Sequence, residues 1–354
     1  MGMRLSRTAL VTALVAVTAM ATGCSSSATS SPQSGTTTAS GTTTAQAAGA
    51  PKPAFLVTYP GIDPAGANIK TGALQAAQAL DVTVVYRTPT TFDVAQQLDV
   101  TQSSLTYPNL KGVSVVAADP NSLEGVMKTA KSQGMALSQG AGCSPNTTAP
   151  ICFDTHPYTL GQDAAKYLAP LMHGSGNVVI AQGTLGDVNN RNRQIGFQDY
   201  MKAHDPNIKV LGVLYSCDQP DTSVKCAENA LSAYPTMTAY YANGDGVAAA
   251  APTVFTKAGK HIIIASLDNL PSTLADIKAG RVAFTLVQPQ VCMGYLLVYS
   301  NYLQAIKHEV STVKYVDLGS TYINQSNVGT LTAAEATTCA QLKAYFTNTV
   351  FKQG

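Results

Sequence analysis

The chain has 354 residues, a formal net charge of +2, 45% hydrophobic residues and only 12% charged ones. A chain of this length and apolar content builds a large core and favours two lobes over one small domain. Its near-neutral charge, with basic residues scattered apart from Arg191 and Arg193, leaves no nucleic-acid footprint.

Arg4 and Arg7 form a positive end, Leu10 to Met20 is a short apolar run, and Ala21-Thr22-Gly23 leads into Cys24. A run that short, closed by small residues, reads as an export signal rather than a membrane span. The small-small-Cys ending resembles the lipobox of bacterial lipoproteins, which implies a signal peptide over residues 1–23 and a lipid-bearing Cys24 as first mature residue. Several acyl chains, at about 0.8 kcal/mol per buried methylene, hold a domain at a membrane surface. From Ser25 to Ala50 there is no charge, no aromatic residue and no apolar period, so residues 24–52 read as the lipidated cysteine and a disordered Ser/Thr-rich tether.

Beyond the tether, Phe55-Leu56-Val57, Val82 to Val85 and Val113 to Val116 are short strand-like runs separated by helix-length stretches. This is βαβ spacing. Gly134, Gly259 and Gly280 each follow an amphipathic segment where a helix-terminating glycine belongs. A second set of runs follows at Asn177 to Ala181, Ile208 to Tyr215, Thr238 to Ala242, Ile262 to Leu267 and Val282 to Val287. Near-continuous apolar strands belong to parallel sheets covered on both faces, and two sets predict two doubly wound lobes. In such sheets ligands bind beyond the carboxyl ends of the strands, so the polar residues there are the candidates.

Export to an oxidising compartment favours disulfides among the cysteines other than Cys24. Cys143 with Cys152 and Cys217 with Cys226 would close short loops around Pro-containing segments, leaving Cys292 with Cys339. No CxxC occurs and the histidines are isolated from one another, which speaks against a metal site.

In order and spacing, these features resemble the type 1 periplasmic binding proteins, specifically the ribose/galactose-type receptors of sugar ABC importers, from Pro53 to about Thr330. Pro64 and Gly72 sit at that family's Asn-Pro-Phe-Phe turn and helix glycine, and Asp119-Pro120 at its turn after the third strand. The run Arg191-Asn192-Arg193-Gln194-Ile195-Gly196-Phe197 matches the arginine and Gly-Phe that open the first helix of the second lobe. Leu267-Asp268 matches a strand-ending Phe-Asp pair, and Gln288 the hinge-side glutamine.

The resemblance implies an α/β fold of two doubly wound parallel-sheet lobes joined by three crossovers, near Asp154, near Gln288 and around Val310 to Val316. The N-terminal lobe would hold residues 53–154 plus 289–312, and the C-terminal lobe residues 155–288 plus 313–354. Ligand would bind between them through Arg191, Asp268 and Gln288, with Asp63, Asn243, Asp245 and Tyr59 as further contacts. A sugar hydroxyl both donates and accepts, so charged and amide side chains suit it. The implied partners are a small carbohydrate ligand, an ABC permease and the membrane through the lipid; no cofactor and no catalysis are implied. The chain also departs from the pattern. Ala65 and Gly66 stand where relatives carry two phenylalanines, Asp63 replaces an asparagine, and Gly140-Ala141-Gly142 replaces an acidic-basic pair. Tyr59, Tyr158 and Tyr215 are the tyrosines that could restore stacking, and the Cys217–Cys226 loop would lie over the cleft entrance.

Two other readings compete. A receptor that reports ligand to a membrane signalling partner would use the same closed form. An exported enzyme on the same fold is the other, since Gly244-Asp245-Gly246-Val247-Ala248-Ala249, with Asp268 at the next strand end, imitates a dinucleotide fingerprint. That imitation sits mid-fold rather than in the first βαβ unit, and no Gly-x-Ser-x-Gly elbow occurs.

Overall fold

The computed structural model describes residues 51–354 except Asp245. The expected signal peptide, the lipidated Cys24 and nearly all of the tether lie outside the described residues.

Strand β1 (Ala54–Thr58) is buried along its whole length, and its side chains alternate between two cores, Phe55 and Val57 entering one and Leu56 the other. Its sequence is an unbroken apolar run because both faces of a parallel sheet are covered. The first lobe continues with α1 (Pro64–Leu80), β2 (Thr83–Arg87), α2 (Val94–Ser104), β3 (Leu110–Val116), α3 (Pro120–Ser132), β4 (Ala136–Gly140) and β5 (Cys152–Asp154). Asp63, Asp93 and Asp119 each cap the following helix by accepting a backbone N–H of its first turn, the usual remedy for the unpaired donors there.

The second lobe holds α4 (Pro157–Leu171), β6 (Gly176–Gln182), α5 (Val188–His204), β7 (Ile208–Leu214), α6 (Pro220–Ala233), β8 (Ala239–Asn243), α7 (Ala251–Lys257), β9 (Ile263–Leu267), α8 (Pro271–Lys278) and β10 (Phe284–Val287). Here Val178 and Ile180 enter one core and Val179 and Ala181 the other. The expected glycines end α3, α7 and α8 with positive φ: 77° at Gly134, 65° at Gly259 and 74° at Gly280.

The chain then returns through α9 (Gln290–Ile306), β11 (Glu309–Ser311), β12 (Tyr315–Asp317), β13 (Thr321–Asn324), α10 (Leu331–Tyr345), a π-helical turn (Phe346–Val350) and β14 (Phe351–Gln353). The first sheet has the order β12-β5-β4-β3-β1-β2, all parallel. The second has the order β13-β10-β9-β8-β6-β7, parallel except for the antiparallel edge strand β13. Among the described residues no helix is long and apolar enough to cross a membrane.

Two expected boundaries move. The third crossover lies between β12 and β13, not at Val310 to Val316, because Tyr315–Asp317 pairs in parallel with Cys152–Asp154 in the first sheet. Residues 313–354 are not all in the C-terminal lobe. Leu331, which opens α10, packs in a second-lobe core, whereas Phe346, Val350 and Phe351 pack in a first-lobe core, and β14 pairs with β11. Helix α10 is therefore a fourth crossing, tied to α9 by the Cys292–Cys339 disulfide.

In each lobe one helix pair meets backbone to backbone through reciprocal glycines. A Cβ on Gly72 of α1 would lie 1.8 Å from Val291 O, and one on Gly294 of α9 2.0 Å from Ile69 O. On α4 and α5, Gly161 would meet Arg193 O at 2.0 Å and Gly196 would meet Tyr158 O at 2.0 Å. The second pair sets the position of Arg193.

Candidate functional site

The loops beyond the carboxyl ends of the strands in both sheets face each other across a cavity of about 130 Å³. Each strand end delivers its residue for a topological reason: Tyr59 follows β1, Asp154 ends β5, Asp218 follows β7, Asp268 follows β9 and Gln288 follows β10.

Arg193 projects into this cavity from α5 with only 8% of its surface exposed. Its Nε donates to Asn243 Oδ1 at 2.9 Å and its Nη2 to Asn190 Oδ1 at 2.6 Å. Asn243 is fully buried and saturated: its Oδ1 also accepts from Tyr241 Oη at 3.1 Å, and its Nδ2 donates to Gln182 Oε1 and Asn190 O. This network holds the guanidinium in one orientation, with Nη1 left without an acceptor among the described residues.

Asp268 sits at the end of β9 with φ of 64°, a left-handed conformation rare outside glycine. Its backbone is clamped there, its N–H donating to Leu286 O and its carbonyl accepting from Thr285 Oγ1. Gln288 Nε2 at 3.0 Å and Gln290 Nε2 at 3.1 Å both donate to its Oδ1. Asp63 caps α1 through Gly66 N at 2.7 Å while its other oxygen accepts from Tyr59 Oη at 2.8 Å. The Tyr59 ring meets Phe92 edge to face at 6.4 Å, forming an aromatic wall beside Asp63.

Among the described residues five carboxylates line the cavity, those of Asp63, Asp154, Asp187, Asp218 and Asp268, against one cationic side chain, Arg193. Burial pushes the Asp63 carboxyl up from the ordinary range, opposed by the Gly66 N–H and Tyr59 hydroxyl. Burial likewise raises Asp187 and Asp268, with the Arg193 charge opposing it in both. Asp154 is pushed up to about 7 by burial, against the opposing pull of the Cys143 N–H and Arg193. In each the cost of burial outweighs the groups that favour the charged form.

Disulfides frame the rim. Cys143–Cys152 closes the loop that follows Gly142, and Cys217–Cys226 anchors the residue before Asp218 to α6. The lobes touch across the cleft: Val188 N donates to Ala118 O at 3.2 Å and Gly142 N to Asn189 Oδ1 at 3.0 Å.

Of the expected contacts, Tyr59, Asp63, Asp268 and Gln288 line the cavity. Arg191 does not; it is exposed. Two residues along a helix is about 200° of rotation, so Arg191 and Arg193 occupy opposite faces. Asn243 stands behind Arg193 rather than in the cavity, and Asp245 lies outside the described residues. Tyr158 and Tyr215 are absent from the wall; Phe92 takes that place beside Tyr59. Sequence reasoning missed Arg193, Phe92, Asp154, Asp187, Asp218 and Gln290 as cavity residues. For Arg193 a signal existed: Gly196 and Phe197, at i+3 and i+4, share its buried face.

The sequence profile of a family described as "Periplasmic binding protein domain" matches residues 54–309. The chain is similar to the xylitol-binding protein of Mycolicibacterium smegmatis, 27% identical over 223 residues, 62% of each chain. It is also similar to the ribose import binding protein of Salmonella typhimurium, 29% identical over 129 residues, 36% of this chain and 43% of the relative. The chain thus spans less than two thirds of the length of the curated relatives it matches. Among solved structures, a solute-binding protein from Burkholderia graminis in complex with D-arabinose superposes with a TM-score of 0.74 at 24% identity, covering 78% of this chain and 96% of that one. A sugar-binding protein from Bacillus halodurans does so with a TM-score of 0.71 at 24% identity, covering 78% and 99%. With two lobes, a cleft at the strand ends and a profile match over most of the chain, this protein belongs to the periplasmic binding protein family.

Proposed function

We propose that the chain captures a small polyhydroxy solute, a sugar or sugar alcohol, between its lobes outside the cytoplasm and delivers it to the permease of an ABC importer. The observation that carries this reading is the convergence of Arg193, Asp268 and Gln288 on one interlobe cavity, each from a different strand end or helix. Such groups donate and accept in fixed directions, and each hydrogen bond to a charged group contributes roughly 1.5–3 kcal/mol. Two relatives are named for xylitol and ribose, one structural neighbour holds D-arabinose and another D-tagatose, which supports a five- or six-carbon solute. Ligand that touches both lobes favours the closed form, because only differential affinity moves such an equilibrium. No bond is made or broken in this role.

The lipid on Cys24 is the finer part of the proposal: it holds the domain at the membrane, with residues 24–52 as the tether. Calorimetry against pentoses, pentitols, hexoses and amino sugars tests the capture. Micromolar or tighter binding of one of them, recovered chemically unchanged, is the expected result; no binding across the panel would remove the reading. Mass spectrometry of the Cys24 peptide and release by Cys24→Ala test the anchor.

A further inference from the structure

The cavity is unbalanced in charge, and the excess is arranged on both lobes. Asp63 comes from the first lobe, Asp187 and Asp218 from the second. Asp187 and Asp218 flank Asn190 and Gly183: Asn190 Nδ2 donates to Asp187 Oδ2 at 2.9 Å, and a Cβ on Gly183 would meet Asp218 Oδ2 at 3.0 Å and Asn190 Nδ2 at 3.1 Å. Asp63, Asp187 and Asp218 line the same cavity, and the negative charges of Asp218 and Asp187 both act on Asp63. Like charges drawn together in a low-dielectric cleft oppose closure unless a cation lies between them.

Two further observations point to what that cation is. Tyr59 and Phe92 wall the same end of the cavity beside Asp63, and aromatic rings beside carboxylates attract ammonium groups. Arg193, buried and lining the cavity, keeps Nη1 free of any acceptor among the described residues. That donor calls for a hydroxyl oxygen on the same ligand.

From this juxtaposition of three aspartates that the two lobes contribute to one cavity, an aromatic wall and one arginine with a free N–H pair, we infer that the ligand is a polyol bearing a primary amine, an amino sugar or amino-alditol. Its ammonium lies between Asp63 and the Asp187–Asp218 face, and its hydroxyls reach Arg193, Asp268 and Gln288. The inference rests on the solute-binding reading above and narrows its ligand class. It also makes closure conditional: a neutral sugar of the same shape leaves these carboxylates unneutralised.

The test is calorimetry on the purified chain with matched pairs: D-glucosamine against D-glucose, D-galactosamine against D-galactose, and 1-amino-1-deoxyribitol against ribitol. In at least one pair the amine binds tighter by about tenfold or more. Asp218→Asn, whose side chain makes one weak hydrogen bond, from Thr184 Oγ1 at 3.3 Å, removes that preference while its melting temperature stays near that of the parent. Neutral members binding as tightly as their amines in every pair would overturn the amine assignment and leave sugar capture standing. No binding by any compound would overturn capture itself and the inference with it. A preference that survives both Asp218→Asn and Asp63→Asn would also overturn the assignment, since the ammonium would then lie elsewhere.

Discussion

Arg193 Nε lies 2.9 Å from Asn243 Oδ1, so the one cationic side chain that lines the cavity among the described residues is aimed by a residue that does not line it. Asn243 is fully buried behind it, and Arg191, the neighbouring arginine of α5, is exposed. Arg193→Ala therefore weakens binding of the cognate solute by about tenfold or more, and Arg191→Ala changes it by less than about twofold. Calorimetry on both variants checks this, and equal losses would remove Arg193 from its special place.

Gly161 fixes where that arginine starts. A Cβ there would sit 2.0 Å from Arg193 O, a backbone atom that cannot rotate away. Gly161→Ala forces α4 and α5 apart and costs about 1–3 kcal/mol, the usual penalty for overpacking. Because the displaced segment carries Arg193, affinity drops as well. A denaturant titration and a binding isotherm on one preparation should move together.

Asp154 makes stability depend on pH. Burial raises its carboxyl from the ordinary 3.8 to about 7 in the folded protein, while Arg193 and the Cys143 N–H oppose the shift and Asp317 adds to it. A raised carboxyl favours the folded state while protonated, so its contribution is complete below the unfolded value and is lost as pH rises through about 7. Asp63, Asp187 and Asp268 shift in the same direction. The ligand-free protein should melt at a lower temperature at about pH 8 than at about pH 5, and Asp154→Asn should flatten that slope without abolishing it. A parent protein that grows more stable over this interval would contradict the sign.

The Cys292–Cys339 bridge ties the C-terminal crossing to α9 across a sequence separation of 47. Along the same helix, Glu335 Oε1 accepts from Asn269 Nδ2 at 3.1 Å, and Asn269 Oδ1 accepts from Asn68 Nδ2 of the first lobe at 3.1 Å. Replacing both cysteines with alanine costs roughly 2–4 kcal/mol. It also exposes α10 to limited proteolysis, which the oxidised parent resists. Identical digestion patterns would show that packing of Phe346, Val350 and Phe351 alone secures the C-terminus.

Periodicity made the strands legible. Phe55-Leu56-Val57, Val113 to Val116 and Asn177 to Ala181 fall within β1, β3 and β6, because a strand buried on both faces is built mostly of apolar residues, with buried Ser114 paired to Ser138. The terminating glycines were legible for the same local reason, since positive φ is cheap only without a Cβ. The edge strand β12 was not: of Tyr315–Asp317 only Val316 is buried, so no apolar run marks it. Asp63, Asp268, Gln288 and Tyr59 were readable as residues just beyond strand ends, which is a statement about position along the chain.

What the sequence by itself determined was the alternation of buried strands and capped helices, and with it two parallel sheets whose carboxyl ends must hold any ligand. Which of two arginines faces the cleft was decided by tertiary structure, because the choice depends on how α5 is rotated against α4 by Gly161 and Gly196. The gathering of Asp154, Asp187 and Asp218 around one cavity was decided there too. These residues lie at the end of β5 and on the connections after β6 and β7, and nothing local to any of them encodes the company of the others.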